Sequence, residues 1–178
     1  MLSYLILLVA LLSRLLPPLL HLSAWNFTAV GGCLLFFGAR RPRWQAAIAV
    51  VSLMVTDYML TVYAYHYAFH VSGYLVTWTW YAGVCLLGNR LLQRATAFRV
   101  AGAVLTSATS FFLLSNFVVW IGPMYEHSLA GMFSCYMAAI PFYRNDLIST
   151  GLVAGALFGL PVLASRLIEA SNRAQTAV

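Results

Sequence analysis

Six apolar runs, each 16 to 22 residues long, set the pattern of this chain. They predict helices over residues 1–16, 24–39, 44–65, 72–89, 100–121 and 147–165. At about 1.5 Å per residue the fifth spans about 33 Å, enough to cross a hydrocarbon layer of about 30 Å. The connections are unequal. Arg40, Arg41 and Arg43 follow the second run, Arg90, Arg94 and Arg99 separate the fourth from the fifth, and Arg166 and Arg173 follow the last. Arginine and lysine collect in cytoplasmic loops. Basic charge in every second connection therefore predicts an all-α integral membrane bundle of six transmembrane helices, N-in and C-in, forming a single transmembrane domain over residues 1–178.

Two segments test that pattern. The first run resembles a signal peptide in length, yet it lacks a basic start, contains Arg14, and runs into Pro17-Pro18 without a small-residue cleavage site. A retained helix is expected. Residues 128–143 are apolar but contain Gly131, Ser134 and Pro141, and are bounded by Glu126 and Arg144. A seventh crossing there would carry Arg166 and Arg173 to the outside and break the alternation. Residues 122–145 are accordingly expected as an interfacial or re-entrant segment on the outer face, lying over the mouth of the bundle. Pro161 is expected to kink the last helix.

Composition agrees: 62% of residues are hydrophobic, 8% are charged and the mean hydropathy is +0.85. A soluble domain carries about 25% charged residues. The ten cationic side chains are all arginine, and they are dispersed over separate connections, so the excess is topological and does not mark a nucleic-acid surface. Cys33, Cys85 and Cys135 lie inside apolar runs and form an odd set, which points to packing residues and away from a disulfide framework. With no lysine there is neither a P-loop nor a Schiff base, and HExxH and a nucleophile motif are absent. An unassisted enzyme and a bound cofactor are not expected.

Polar residues inside the runs carry more information, because a carboxylate within a span costs about 2.5 kcal/mol or more unless it faces a cavity or a partner. Asp57 lies 13 residues after Trp44 and Asn116 lies 16 after Val100, about 20 and 24 Å into their helices from the basic end. Asp57 is either half of an ion pair with Arg14 or a functional group. Asp57, Thr61 and Tyr65 share a face of the third helix; Tyr74, Trp78, Tyr81 and Cys85 share one on the fourth; Asn116 and Trp120 share one on the fifth. An aromatic stripe also serves packing or an interfacial belt. Convergence of the three faces at one depth favours a small-molecule pocket. His66 and His70 stand four apart, but spacing fixes no third ligand, so no metal site is assigned. Gly151, Gly155 and Gly159 form a close-packing ridge on the last helix, for an internal neighbour or a partner helix.

Two stretches carry a resemblance. The first is Asn26-Phe27-Thr28-Ala29-Val30-Gly31 leading to Phe36-Phe37-Gly38-Ala39; the second runs from Ser115-Asn116-Phe117 through Trp120, Met124-Tyr125, Leu129-Ala130-Gly131 and Cys135-Tyr136 to Pro141-Phe142-Tyr143-Arg144-Asn145-Asp146-Leu147. They resemble a family of small uncharacterised bacterial six-helix membrane proteins that is similar to the substrate-binding S components of energy-coupling-factor (ECF) transporters. The resemblance implies a vitamin- or metal-type uptake component in the bacterial cytoplasmic membrane, which binds a small-molecule substrate in an outward-facing pocket and docks to a transmembrane coupling protein driven by ATPases. The Ala-xxx-Ala docking pattern of many such components is missing from the first helix. In this reading Asn26 and Asn116 hydrogen-bond the solute, Asp57 and Arg144 supply charge, and Trp78, Tyr81 and Trp120 stack on it. The competing reading is a structural or assembly subunit of a larger membrane complex, with a membrane enzyme using Asp57 and the histidines as a third.

Overall fold

The structure, a computed structural model, describes residues 1–19 and 28–176. Six α-helices order them: α1 (Leu2–Leu19), α2 (Val30–Arg40), α3 (Ala46–Met59), α4 (Leu75–Leu91), α5 (Ala97–Ile121) and α6 (Leu129–Thr176). A π-helical turn, Leu60–Ala64, prolongs α3, and 3-10 turns precede α3 and α4. The chain from Arg43 to Ala64, α5 and α6 are each long and apolar enough to cross a membrane. This is a helical membrane protein.

The second helix sets the arrangement. Its 11 residues span about 16 Å, half the thickness of a hydrocarbon core, and every residue from Val30 to Ala39 is buried. A helix apolar all round belongs at the centre of a bundle, and α1, α4 and α6 pack around it. Glycine permits the approach. A Cβ on Gly38 would strike the Cys85 carbonyl of α4, one on Gly88 would strike the Leu35 carbonyl of α2, and one on Gly32 would press on Val153 of α6. Small residues let helix backbones meet where lipid supplies no hydrophobic drive between helices. A polar clasp closes the basic end of the same pair: Asn89 Nδ2 donates to the carbonyls of Gly38 (3.1 Å) and Arg41 (3.0 Å), and Arg43 Nε donates to Asn89 Oδ1 (3.0 Å).

The largest departure from the sequence pattern is α6. Residues 122–145 are not a separate outer segment: after a turn at residues 122–128, Leu129 begins a helix that continues unbroken through Pro141 and Pro161 to Thr176. Its buried positions Gly131, Cys135, Ala139, Thr150, Ala154 and Phe158 keep one inward face across the expected boundary. Tyr136 Oη donates to the Leu113 carbonyl (2.8 Å) and Thr109 pairs with Tyr143 (3.0 Å), so this early part of α6 lies along α5. A helix interior tolerates proline in a membrane bundle because neighbouring groups re-satisfy the freed carbonyl. Merging the two segments leaves the number of helices at six among the described residues. Two smaller differences are a first helix that persists through Pro17-Pro18 to Leu19, and a second that begins at Val30, with residues 24–27 of the expected span outside the described residues.

The Gly151, Gly155 and Gly159 ridge makes little internal contact: Val104 lies 3.8 Å from a Cβ placed on Gly151, while Gly155 and Gly159 face open space. Close helix contact is carried by Gly38 and Gly88 instead. Replacing Gly88 with leucine forces α2 and α4 apart and is expected to destabilise the fold by at least the 1–3 kcal/mol typical of overpacking. Gly155→Ala is expected to leave stability within about 0.5 kcal/mol, or to raise it slightly through helix propensity. Thermal unfolding of both variants in one detergent checks the contrast.

Candidate functional site

Four buried or half-buried side chains from α1, α3 and α4 form a closed network. Arg14 Nη2 lies 2.6 Å from Asp57 Oδ1, and Arg14 Nη1 donates to the Tyr81 hydroxyl. Trp78 Nε1 donates to Asp57 Oδ2 (3.0 Å), and the Tyr81 hydroxyl approaches the same oxygen at 3.5 Å. Asp57 is 1% exposed. A carboxylate taken so far from water is tolerated when it is both paired and hydrogen-bonded, and both conditions hold here. Of the two readings that the sequence left open for Asp57, the geometry realises the ion pair with Arg14.

The local fold of α3 holds this network. Where the helix widens into its π-helical turn, Thr61 Oγ1 donates to the Asp57 carbonyl (2.7 Å) and bonds the Tyr74 hydroxyl ahead of α4. The helix ends just beyond, and His66 takes a left-handed conformation with φ 56°. Continued helicity through His70, which two stacked imidazole ligands need, is absent. Among the described residues no three His, Cys, Asp or Glu side chains converge as a metal site.

Beside the network lies a chamber of about 350 Å³, lined from α1, α3, α4, α5 and α6. Arg14, Asp57 and Tyr81 form one wall. Rings form much of the rest, among them Trp80 against Phe111 with centroids 4.7 Å apart, and Phe112 against Tyr143 at 4.8 Å. Trp80 is fixed by bonds from Nε1 to the Ser107 carbonyl (3.2 Å) and Ser110 Oγ (3.1 Å). Thr28 and Val30 bring the start of α2 to the chamber, and Asn116 and Asp146 add polar groups from α5 and α6.

The sequence-predicted residues divide. Asp57, Tyr81 and Asn116 line the chamber. Asn116 Nδ2 donates back to the Phe112 carbonyl of its own helix (2.7 Å). Trp78 stands behind the wall, stacked with Tyr74 and Phe69 and bonded to Asp57. Trp120 turns away and donates to the Glu126 carbonyl (3.2 Å), while Arg144 is exposed and does not line the chamber. Neither is placed to touch a solute there. Asn26 lies outside the described residues.

Sequence reasoning missed Asp146 as a site residue. It had fallen at the junction between the expected outer segment and the last span; in the continuous α6 it occupies the chamber face with Tyr143 and Ala139. Its Oδ2 is buried without a hydrogen-bond partner, and so is Oγ1 of Thr150 one turn on. The two side chains are near enough to influence one another, but no hydrogen bond of good geometry joins them.

Comparison with known families places the chain. A model of a family of unknown function, DUF6580, matches residues 1–172. The chain belongs to that family. No curated protein and no solved structure matches it. The membership agrees with the small uncharacterised family that the two quoted stretches resemble, and DUF6580 membership leaves the chemistry to be read from the chamber itself.

Removing one member of the Arg14–Asp57 pair leaves the other charge buried alone, which typically costs 3–5 kcal/mol. Arg14→Gln is expected near the lower end of that range, because Arg14 is 20% exposed. Combining it with Asp57→Asn removes both charges and is expected to recover much of the loss, as read from thermal midpoints of the two single variants and the double variant.

Proposed function

We propose that this DUF6580 protein is a substrate-binding membrane component, similar to an ECF S component, that takes up a small solute of vitamin type. The observation that carries the reading is the chamber: about 350 Å³, walled by aromatic rings, with a few directed polar groups, inside a bundle of membrane-type helices. Largely preformed apolar pockets of roughly 300–1,000 Å³ with convergent polar groups are the usual form of small-molecule sites. Asn116 and the paired wall of Arg14, Asp57 and Tyr81 orient the solute, and Trp80, Phe111, Phe112 and Tyr143 stack on it.

The topology proposed with this function is six spans in the bacterial cytoplasmic membrane, N-in and C-in. It rests on arginines at Arg40, Arg41, Arg43, Arg90, Arg94 and Arg99 gathered at one end of the helices, which the positive-inside rule puts in the cytoplasm. The merged α6 keeps that alternation, since residues 129–165 then cross once and return Arg166 and Arg173 to the cytoplasmic side. Energy comes from a docked coupling protein with ATPases, because this chain has no nucleotide-binding loop.

One observation favours a second reading, a structural subunit of a larger complex. Every described side chain from Gly159 to Arg173 is exposed, with Gly155 and Gly159 uncovered, so the last part of α6 stands clear of its own bundle. Under that reading Gly155→Leu abolishes co-purification of a membrane partner and changes at the chamber have no effect.

Native mass spectrometry of the protein released directly from its membrane separates the two. The solute reading expects a small molecule bound to the wild type, and its occupancy to fall at least tenfold in Phe112→Ala, with the fold retained. Loss of a single aromatic stacking partner of about 1.4 kcal/mol already corresponds to tenfold. An empty wild-type protein that carries a stoichiometric partner subunit would favour the assembly role.

A further inference from the structure

The chamber's charges do not balance. Two carboxylates and one guanidinium line it among the described residues: Asp57, Asp146 and Arg14. The guanidinium is spent on Asp57, 2.6 Å away, and on the Tyr81 hydroxyl. Asp146 lines the same space with no cation beside it among the described residues, while its Oδ2 is buried from solvent beside Thr150. An isolated carboxylate in such surroundings carries a penalty that an arriving positive charge removes.

We infer that the solute taken by this chamber is an organic cation, a protonated amine or quaternary nitrogen on a flat or compact apolar frame, with Asp146 as its counter-ion. The inference rests on the solute-binding reading above and specifies its substrate class. Three features argue for an organic cation over other ligands. Aromatic rings line much of the wall, Trp80, Phe111, Phe112 and Tyr143 among them, and the negative face of such a ring attracts a cation. The volume of about 350 Å³ is far larger than a bare metal ion, and no three His, Cys, Asp or Glu side chains converge among the described residues to hold one. An anion meets the opposite conditions, since Asp146 repels it and the Arg14 charge is already neutralised.

Among the described residues, every charged or titratable group facing Asp146 across the chamber belongs to the set already named: Arg14 from α1, Asp57 from α3, Tyr74 and Tyr81 from the α4 region, and Tyr143 from α6 itself. Asp146 is thus the side chain whose charge sets the preference, while the Arg14–Asp57 wall is neutral and shapes the site.

The experiment compares flat bicyclic probes of similar size and different charge: 1-methylquinolinium, neutral quinoline at pH 8, and 2-naphthoate. Binding to purified protein in nanodiscs is followed by tryptophan fluorescence. The wild type is expected to bind 1-methylquinolinium at least tenfold more tightly than quinoline and to reject naphthoate. Asp146→Asn is expected to erase the preference while keeping quinoline affinity, and Asp146→Glu to retain it. The Glu variant also controls for folding. A wild-type preference for naphthoate or quinoline overturns the cation assignment and leaves the solute-binding reading intact. A cation preference that survives Asp146→Asn overturns the role of Asp146. If none of the three binds at millimolar concentration, the inference falls, and the co-purification measured by native mass spectrometry decides the solute reading separately.

Discussion

Helices in lipid gain nothing from hiding apolar surface from one another, because the tails around them are as apolar as leucine. Their association depends on how closely backbone can meet backbone, and in this protein that condition is concentrated on α2. Gly38 and Gly88 bring α2 against α4 until main-chain carbonyls fill the space a side chain would need, and Gly31 and Gly32 admit the side chains of Thr150 and Val153 of α6. The other helices are placed by this contact. α2 is too short to cross a bilayer alone, so its start lies within the bundle, where Thr28 and Val30 close one side of the chamber. The cavity exists because its central helix is half-length.

Two carboxylates inside the same bundle are treated in opposite ways. Asp57 is enclosed by Arg14, Trp78 and Tyr81, with Oδ1 held in the Arg14 ion pair and Oδ2 bonded by Trp78. Such a pair is weak evidence for net stability, because desolvation consumes much of the attraction between its members. It does hold α1, α3 and α4 in one register and keeps that wall neutral. Asp146 has no cation beside it among the described residues. A membrane bundle that neutralises one acid so thoroughly and leaves another open to a ring-lined space concentrates its remaining charge where a solute would sit.

Much of this was legible in the residues. The periodicity of the third, fourth and fifth runs placed α3, α4 and α5 within a few residues of their observed ends, because each run is bounded by polar or basic residues that stop the apolar pattern. Asp57 and Arg14 were legible as partners, since both are charges too costly to leave alone in a span. Asp146 was not, for a physical reason: Gly131, Ser134 and Pro141 imitate the punctuation of a loop, and lipid-embedded helices accept these residues where soluble ones do not. Reading a break there moved Asp146 from a helix face to a boundary. Arg144 was misplaced by the same break, and Trp120 because depth along a helix does not fix direction: Trp120 leans toward the turn after α5 and Arg144 toward the exterior. The asymmetry of the glycine contacts was also invisible, since a regular Gly-xxx-Gly spacing on α6 is a clearer pattern than the isolated Gly38 and Gly88 that make the tight crossing.

The length of α6 has a mechanical consequence. One continuous rod carries Asp146 beside the chamber and then runs clear of its neighbours from Gly159 onward. With about 1.5 Å of rise per residue, the final 18 residues form an arm of roughly 27 Å. Pivoting that arm by about 10° sweeps its tip through nearly 5 Å. A small tilt of the helix beside Asp146 thereby corresponds to a displacement several times larger at its far end.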